Sequence, residues 1–319
     1  MDFPDYAIEA RGLRKTYAAT RTTAAKEALK GIDLVVPRGS IFGLLGPNGA
    51  GKSTFINILA GVSLKTSGQV KIWDRDIDAE PRAARAAIGV VPQELAVDVF
   101  FTPREAMETH AGFYGVPRRE RRTDALLAAL GLTDKADAYV RQLSGGMKRR
   151  LMVAKAMVHG PPVLILDEPT AGVDVELRRQ LWAYVLELNA QGVTIVLTTH
   201  YLEEAEELCD RIAIINHGRV VACAPTRDLL QSLDTRTVVI VPERPLAAAP
   251  ALPPLETRLR ADGRLAITFH KADMGVEAVL ATVRAAGIAI KDLATEDPNL
   301  EDVFMSLTYG SAPASVEAG

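Results

Sequence analysis

The sequence predicts an α/β fold followed by a small α+β domain, and three observations carry that expectation. The apolar run Ile41-Phe42-Gly43-Leu44-Leu45 feeds a glycine-rich turn that opens the helix-like Phe55 to Ala60. The runs Val163 to Leu166 and Val193 to His200 read as strands buried on both faces of a parallel sheet. From Thr102 to about His159 the pattern is helical with no strand candidate, which predicts a helical subdomain inserted into the core.

Length and composition narrow the classes. With 319 residues, 48% of them hydrophobic, the chain can bury one large core and one small one. A net charge of −3 gives no electrostatic footprint for nucleic acid. No apolar run approaches the length of a membrane span, and the acidic start Met1-Asp2-Phe3-Pro4-Asp5 lacks the signal-peptide pattern, so a cytoplasmic location is expected. Cys209 and Cys223 are too few and too isolated for a disulfide framework or a metal site.

The first elements are strands at Ala7 to Leu13 and Ile32 to Val36. Tyr17 lies between them; its ring could stack on a purine, and the spacing suits a half-exposed tyrosine nearly as well. Next comes Gly46-Pro47-Asn48-Gly49-Ala50-Gly51-Lys52-Ser53-Thr54, between a strand and a helix. That is the context a phosphate-binding loop requires. The glycines let backbone N–H groups approach phosphate oxygens. Lys52 is placed to reach the β- and γ-phosphates, and the Ser53 hydroxyl to ligate Mg²⁺. Alone, the loop specifies only a nucleotide.

A hairpin strand is expected at Gln69 to Trp73 and another strand at Ile88 to Val91 before Pro92. Gln93 follows it, where a neutral amide can coordinate Mg²⁺ and orient a water. In the helical block, Ala125 to Leu130 is closed by Gly131, and Leu132 to Lys135 should open the next helix. The basic cluster Arg118 to Arg122 is read as a solvated helix face. The block ends in Leu143-Ser144-Gly145-Gly146-Met147-Lys148-Arg149-Arg150-Leu151. Ser144 is a good N-cap, and the glycines leave the first N–H groups of the helix uncovered, a second anion site in one chain. The segment by itself equally suits an ordinary capped helix start.

Asp167 and Glu168 end the strand Val163 to Leu166 ahead of Pro169. Given the phosphate loop upstream, Asp167 is expected to hold Mg²⁺, through water, and Glu168 to polarise the water that attacks the γ-phosphate. A helix from Glu176 to about Asn189 and a strand to Thr199 follow. His200 falls at the same strand edge, where an imidazole can bond a γ-phosphate oxygen. His110, His159, His217 and His270 read as surface or cap residues. Glu203, Glu204, Glu206 and Glu207 read as a solvated helix face. Strands around Asn216-His217-Gly218 close this domain, 1–234, whose helical part spans about 95–159. A small domain at 235–309 shows a strand at Thr237 to Val241, a hairpin around Ala261-Asp262-Gly263, a helix from Val276, a strand from Ile288 and a last helix from Asn299. The Ser/Ala/Gly-rich 310–319 is expected to be a disordered tail.

Gly46 to Ser53, Gln93, Leu143-Ser144-Gly145-Gly146, Leu166-Asp167-Glu168, Asp174 and His200 occur in the order of an ATP-binding-cassette (ABC) ATPase, and the resemblance covers about 7–230. Leu143 to Met152, Thr170 to Asp174, His200 to Glu207 and Pro298 to Phe304 look like the ATPase subunits of type-2 ABC exporters, which serve a separate membrane permease. The resemblance implies a phosphate-loop NTPase core with an antiparallel β subdomain, and ATP and Mg²⁺ as ligands. It also implies a head-to-tail dimer in which Ser144, Gly145 and Gly146 of one subunit close on the nucleotide held by Lys52 of the other, and one chain carrying every motif intact favours a homodimer. Asp174 would communicate across that dimer, Gln93 would link nucleotide state to the helical subdomain, and Tyr17 would stack on adenine. The chain departs from common members by extra residues within Ala18 to Glu27. The alternative is a non-transport cassette acting on ribosomes or DNA; such proteins usually carry two cassettes or a long coiled coil, absent here. A third possibility makes 235–310 a ligand-sensing module that regulates the ATPase.

Overall fold

The computed structural model describes residues 3–19, 24–94 and 96–309. The expected tail at 310–319 and residues 20–23 of the departure after Tyr17 lie outside them. The chain divides into two compact units, 1–225 and 226–319.

The first unit contains two sheets. β1 (Tyr6–Tyr17), β2 (Lys26–Pro37), β4 (Ser67–Ile72) and β5 (Arg75–Asp76) form an antiparallel sheet in the order β2-β1-β4-β5. The central sheet comprises β3 (Ile41–Leu45), β6 (Ile88–Val91), β7 (Val163–Asp167), β8 (Thr194–Thr198), β9 (Arg211–Asn216) and β10 (Arg219–Pro225), ordered β10-β9-β3-β8-β7-β6. All its neighbours pair in parallel except β9 and β10, which form a hairpin. Every residue of β3 and β8 is buried, as the unbroken apolar runs require of strands covered on both faces.

α1 (Lys52–Leu59) follows β3 and α2 (Pro81–Ala86) precedes β6. Phe55 and Ile58 of α1 join Ile8 and Leu13 of β1, Leu29 and Ile32 of β2, Phe42 of β3 and Val196 of β8 in one buried cluster. The phosphate-loop helix is thus clamped between the two sheets by the area it buries.

The helical block holds α3 (Pro103–Phe113), α4 (Thr123–Ala129) and α5 (Gly145–Ala156). A capping box sets the start of α3: Thr102 Oγ1 accepts from Glu105 N–H at 3.2 Å, and Glu105 Oε2 accepts from Thr102 N–H at 2.9 Å. The helix expected from Leu132 is only a 3₁₀ turn, Thr133–Lys135. The Ala136 carbonyl, which a continuing helix would use internally, accepts instead from Arg104 N–H of α3. The Arg118–Arg122 cluster holds a 3₁₀ turn, Arg118–Glu120, rather than a helix face; Arg118, Arg119, Glu120 and Arg122 are exposed as expected, but Arg121 is half-buried. Its guanidinium bonds Glu108 at 2.6 Å and the Val116 carbonyl at 3.0 Å.

α6 (Val175–Ala190) and α7 (Leu202–Leu208) follow β7 and β8. The second unit begins with α8 (Thr226–Gln231), earlier than the expected boundary at Thr235, because α8 packs against α10 (Leu300–Tyr309). Between them lie β11 (Thr235–Pro242), β12 (Glu256–Leu259), β13 (Leu265–His270), α9 (Val276–Ala285) and β14 (Ile290–Glu296). The strands form an antiparallel sheet in the order β12-β13-β11-β14, with Val279 and Val283 of α9 packed on Val238, Ile240 and Ile267.

His217 and His270 are exposed as expected, but His110 and His159 are not simple surface residues. Tyr114 stacks on His159 at 3.7 Å, and His110 meets the Tyr114 ring edge-on at 5.3 Å. Together they line a cavity of about 220 Å³ with Ile88, Met152 and Lys155. Burial, reinforced by Lys155 and His159, pushes His110 down to about 4. In the unfolded chain His110 takes its proton near 6.5, whereas the folded state resists it down to about 4. The unfolded state therefore binds more protons in that window, and stability falls as pH falls through it. Thermal melts of wild type should drop between about pH 7 and pH 5, and His110→Gln should drop less. Equal falls in the two proteins would refute the assignment.

Candidate active site at the carboxyl edge of the central sheet

β3 ends at Leu45, and the chain turns through Gly46 to Gly51 before α1. Gly46 has φ 154°, and a Cβ there would lie 2.1 Å from the Ile215 carbonyl oxygen. Gly51 has φ 118°, and a Cβ there would meet the Ala28 carbonyl oxygen at 2.9 Å. Both positions exclude side chains because the loop is pressed between β2 and β9. The β9–β10 turn, with His217 at φ 47° and Gly218 at φ 77°, backs this arrangement. Gly218 N–H donates to the Ala50 carbonyl at 2.8 Å, and Lys30 N–H donates to the Gly218 carbonyl at 2.8 Å.

No side chain caps α1, whose preceding residue is Gly51, so its leading N–H groups face the cleft unshielded. Lys52 is buried, and its Nζ donates to the Gly46 carbonyl at 2.6 Å and the Pro47 carbonyl at 3.3 Å. Burial lowers its pKa, opposed by the charges of Glu168 and then Asp167. An added anion would favour the ammonium form further.

At the end of β7, Thr198 organises both acids. Its hydroxyl donates to Asp167 Oδ1 at 2.6 Å, and Glu168 N–H donates to Thr198 Oγ1 at 3.0 Å and to its carbonyl at 3.1 Å. Glu168 sits at φ 49°, a conformation that costs a non-glycine residue about 1–3 kcal/mol and persists only where the surroundings enforce it. Its carboxylate accepts from Gln93 Nε2 at 2.7 Å, while the other oxygen lies 2.5 Å from His200 Nε2. Gln93 is steadied in turn by Arg149 of α5. The buried Nη1 of Arg149 donates to the Pro92 and Gln93 carbonyls at 3.0 and 2.9 Å.

A cleft of about 280 Å³ gathers these groups. Its walls include Tyr17, Asn48 to Thr54, Gln93, Glu168 and His200, with Lys26 and Ala28 of β2. Gly46 and Pro47 form the base of the loop through their contacts with Lys52, and Asp167 lies behind Glu168 on Thr198. Tyr17, 41% exposed, reaches the cleft, and Lys15 Nζ lies 4.7 Å from its ring centroid. Ser53 is exposed at the head of α1 and Thr54 half-buried beside it.

Ser144, Gly145, Gly146 and Asp174 are not among the residues lining that cleft. Ser144 Oγ caps α5 by accepting from Met147 N–H at 3.2 Å, and Asp174 Oδ1 caps α6 by accepting from Leu177 N–H at 2.9 Å. Leu177 joins the two caps, since a Cβ on Gly146 would lie 2.2 Å from its Cδ1. Gly145 is exposed, and a Cβ there would meet nothing within 4 Å.

Sequence reasoning missed Thr198 and Arg149, and it misread Glu204. That residue does not share the solvated face expected for its neighbours; it is 7% exposed and holds Thr170 and Thr199. The only linear signal was a pair of threonines directly before His200. Thr198→Val keeps the shape but removes the hydroxyl that fixes Asp167 and shares the Glu168 N–H. Its kcat for ATP hydrolysis should fall at least about tenfold in a protein that still melts cooperatively. An unchanged kcat would mean that strand register alone holds the two acids.

Comparison with known proteins bears on this geometry. The ABC transporter family pattern matches residues 29–171. The Nod factor export ATP-binding protein I of Rhizobium sp. (strain N33) is 36% identical over 305 residues, covering 95% of this chain and 97% of that one. The daunorubicin resistance ATP-binding protein DrrA3 of Streptomyces coeruleorubidus is 38% identical over 311 residues, covering 95% and 96%. The linearmycin resistance ATP-binding protein LnrL of Bacillus subtilis (strain 168) is 35% identical over 314 residues, covering 94% and 98%. Among solved structures, the ATP-binding subunit of an ABC transporter superposes with a TM-score of 0.64 at 30% identity, covering 71% of this chain and 92% of that one. A dimeric ATP-binding cassette bound to ADP and Pi gives 0.62 at 26%, covering 69% and 99%. None of these relatives is named for work on ribosomes or DNA, the alternative weighed from sequence. The chain belongs to the ATP-binding subunits of ABC transporters, and it binds and hydrolyses ATP.

Proposed function

We propose that this ATPase energises a type-2 exporter as a head-to-tail homodimer bound to a separate membrane permease. The observation that carries this reading is the presence of two anion-facing features in one chain that do not line a common cleft. One is the phosphate-loop cleft, and the other is the start of α5 at Ser144 and Gly145. Gly145 has an ordinary φ and free space around its Cβ position, so nothing inside the subunit requires glycine there. Close approach of a second subunit's γ-phosphate would require it.

In that dimer, Ser144, Gly145 and Gly146 of one subunit complete the site formed by Lys52, Gln93, Glu168 and His200 of the other, and Asp174 lies along the seam. Tyr17 offers its face to adenine. Glu168 takes a proton from the attacking water as its oxygen bonds to the γ-phosphorus, and the bond to the ADP oxygen breaks. His200 and Lys52 stabilise charge on the γ-phosphate oxygens. The donor set fits a hard divalent cation, being all oxygen: the exposed Ser53 hydroxyl, the Gln93 amide oxygen left over once its NH₂ binds Glu168, and Asp167 through water. Mg²⁺, when bound there, would neutralise phosphate charge.

No helix among the described residues is long and apolar enough to cross a membrane. The permease therefore supplies the membrane path and selects the cargo, and the ATPase sits on its cytoplasmic face. Gln93, tied to α5 by Arg149, relays nucleotide state to the helical block on which the permease rests. The second unit acts as an accessory module that regulates the ATPase.

Glu168→Gln should retain ATP, turn over about 10²- to 10⁴-fold more slowly and accumulate as an ATP-bound dimer. Near-normal hydrolysis would remove Glu168 as general base. Captured through a tag in mild detergent with ATP and Mg²⁺, the same variant should bring down a polytopic membrane protein. Ribosomal proteins or nucleic acid in its place would overturn the transport reading. Placed in the Glu168→Gln background, Gly145→Ala should fold and bind ATP normally yet no longer accumulate as an ATP-bound dimer in size-exclusion chromatography. ATP-dependent dimers of that variant would argue against the head-to-tail arrangement.

A further inference from the structure

Glu204 is a carboxylate buried outside the nucleotide cleft, with polar partners from three different segments. It lies in the first turn of α7 and is 7% exposed. Its Oε2 accepts from Thr170 Oγ1 at 2.9 Å and from Thr199 Oγ1 at 3.0 Å. Its Oε1 lies 3.3 Å from Arg178 Nε, an ion pair without hydrogen-bond alignment. Arg178 also spreads its guanidinium over the Tyr201 ring at 4.4 Å.

Each partner belongs to a segment that carries a functional side chain. Thr170 is fully buried in the turn after Glu168, and its carbonyl accepts from Val173 N–H just before Asp174. Thr199 adjoins His200, and its hydroxyl also accepts from Tyr201 N–H at 3.0 Å, fixing the turn that presents the imidazole. Arg178 stands one turn into α6, its N–H bonded to the Asp174 carbonyl at 3.0 Å. Burying an anion against two hydroxyls and one imperfect ion pair is costly, and an apolar residue would pack the same space more cheaply. What the carboxylate provides is a fixed spacing between loops that β-sheet hydrogen bonds no longer constrain. Glu168 N–H bonds Thr198, but beyond that rung the ladder between β7 and β8 has ended.

We propose that Glu204 is a positioning residue that ties the Glu168 loop, the His200 loop and the Asp174 helix into one unit. It thereby sets the contact of Glu168 with His200, which stands at 2.5 Å. Glu204 touches neither nucleotide nor the reacting atoms; it acts through Thr170 and Thr199. The proposal rests on the reading of Glu168 as general base.

The test uses the full-length chain with ATP and Mg²⁺, rates being expressed per nucleotide-binding site as titrated with a fluorescent ATP analogue. Glu204→Ala should lower kcat at least about tenfold while KM and analogue affinity change by less than about twofold. Thr170→Val should lower kcat likewise, and Thr170→Ser, which keeps the hydroxyl, should restore it. The double variant Thr170→Val with Glu204→Ala should lose no more than the worse single one, because both cut the same tie. A kcat per site within about twofold of wild type in folded Glu204→Ala would overturn the proposal. If that variant does not fold, Thr170→Val decides, and unchanged kcat there has the same force. Equal rates for Thr170→Val and Thr170→Ser would also overturn it. Glu168→Gln run in parallel separates the two failures. A fast Glu168→Gln defeats the general-base reading, whereas a slow Glu168→Gln beside a normal Glu204→Ala defeats this proposal alone.

Discussion

The register of the central parallel sheet is the constraint on which the rest of the site depends. Val91, Leu166, Leu197 and Gly43 occupy one rung across β6, β7, β8 and β3. Two residues beyond that rung come Gln93, Glu168, Thr199 and the end of β3 at Leu45. A slip of one residue in any strand would move each of its side chains to the opposite face of the sheet, against the wrong neighbours, and carry its loop away from the others. The hydrophobic demand of strands buried on both faces therefore fixes the positions of polar groups that play no part in that burial. This is why chemistry gathers at the carboxyl edge of such a sheet.

Beyond the last rung, side-chain hydrogen bonds take over from the ladder. Thr198 shares its hydroxyl between Asp167 and the Glu168 N–H, Arg149 binds the two carbonyls around Gln93, and Glu204 gathers Thr170 and Thr199. Each tie crosses from one strand-end loop to another or to a helix. Each also places a buried polar group against a specific partner, so loss of the partner leaves an unsatisfied group in a dry environment. The positive φ of Glu168 is tolerated for the same reason, since the atoms around it leave no relaxed alternative.

The helical block is joined to this edge by few polar links, of which Arg149 is the one that reaches Gln93 directly. The start of α5 and the cap of α6 meet through Leu177, so Ser144, Gly146 and Asp174 form a second surface beside the cleft. The relatives match along more than nine-tenths of this chain, which brings the second unit into the likeness as well as the cassette.

The contiguous motifs were legible in the chain itself. Gly46 to Thr54 declares a phosphate loop because backbone geometry within a few residues dictates glycine, and the apolar run ending in Asp167 and Glu168 declares a buried strand with acids at its tip. Local chemistry likewise announced the Ser144 cap and the tight turn at His217 and Gly218. Glu204 read as surface because it sits in a run of four acids, of which Glu203 and Glu207 are exposed, and composition does not tell which of the four finds buried hydroxyls. The helix expected from Leu132 is cut to one turn where the Ala136 carbonyl and the Val140 N–H, partners in a continuing helix, pair instead with Arg104 and Phe101. Sequence alone determined the elements, the phosphate loop and the acids, since these follow from interactions between near neighbours. Only the tertiary structure decided that Tyr17, Gln93 and His200 share one cleft, that Thr198, Arg149 and Glu204 hold its walls, and that Ser144 to Gly146 stand outside it. Most of those contacts join residues tens of positions apart, and only the packed sheet brings them within hydrogen-bond reach.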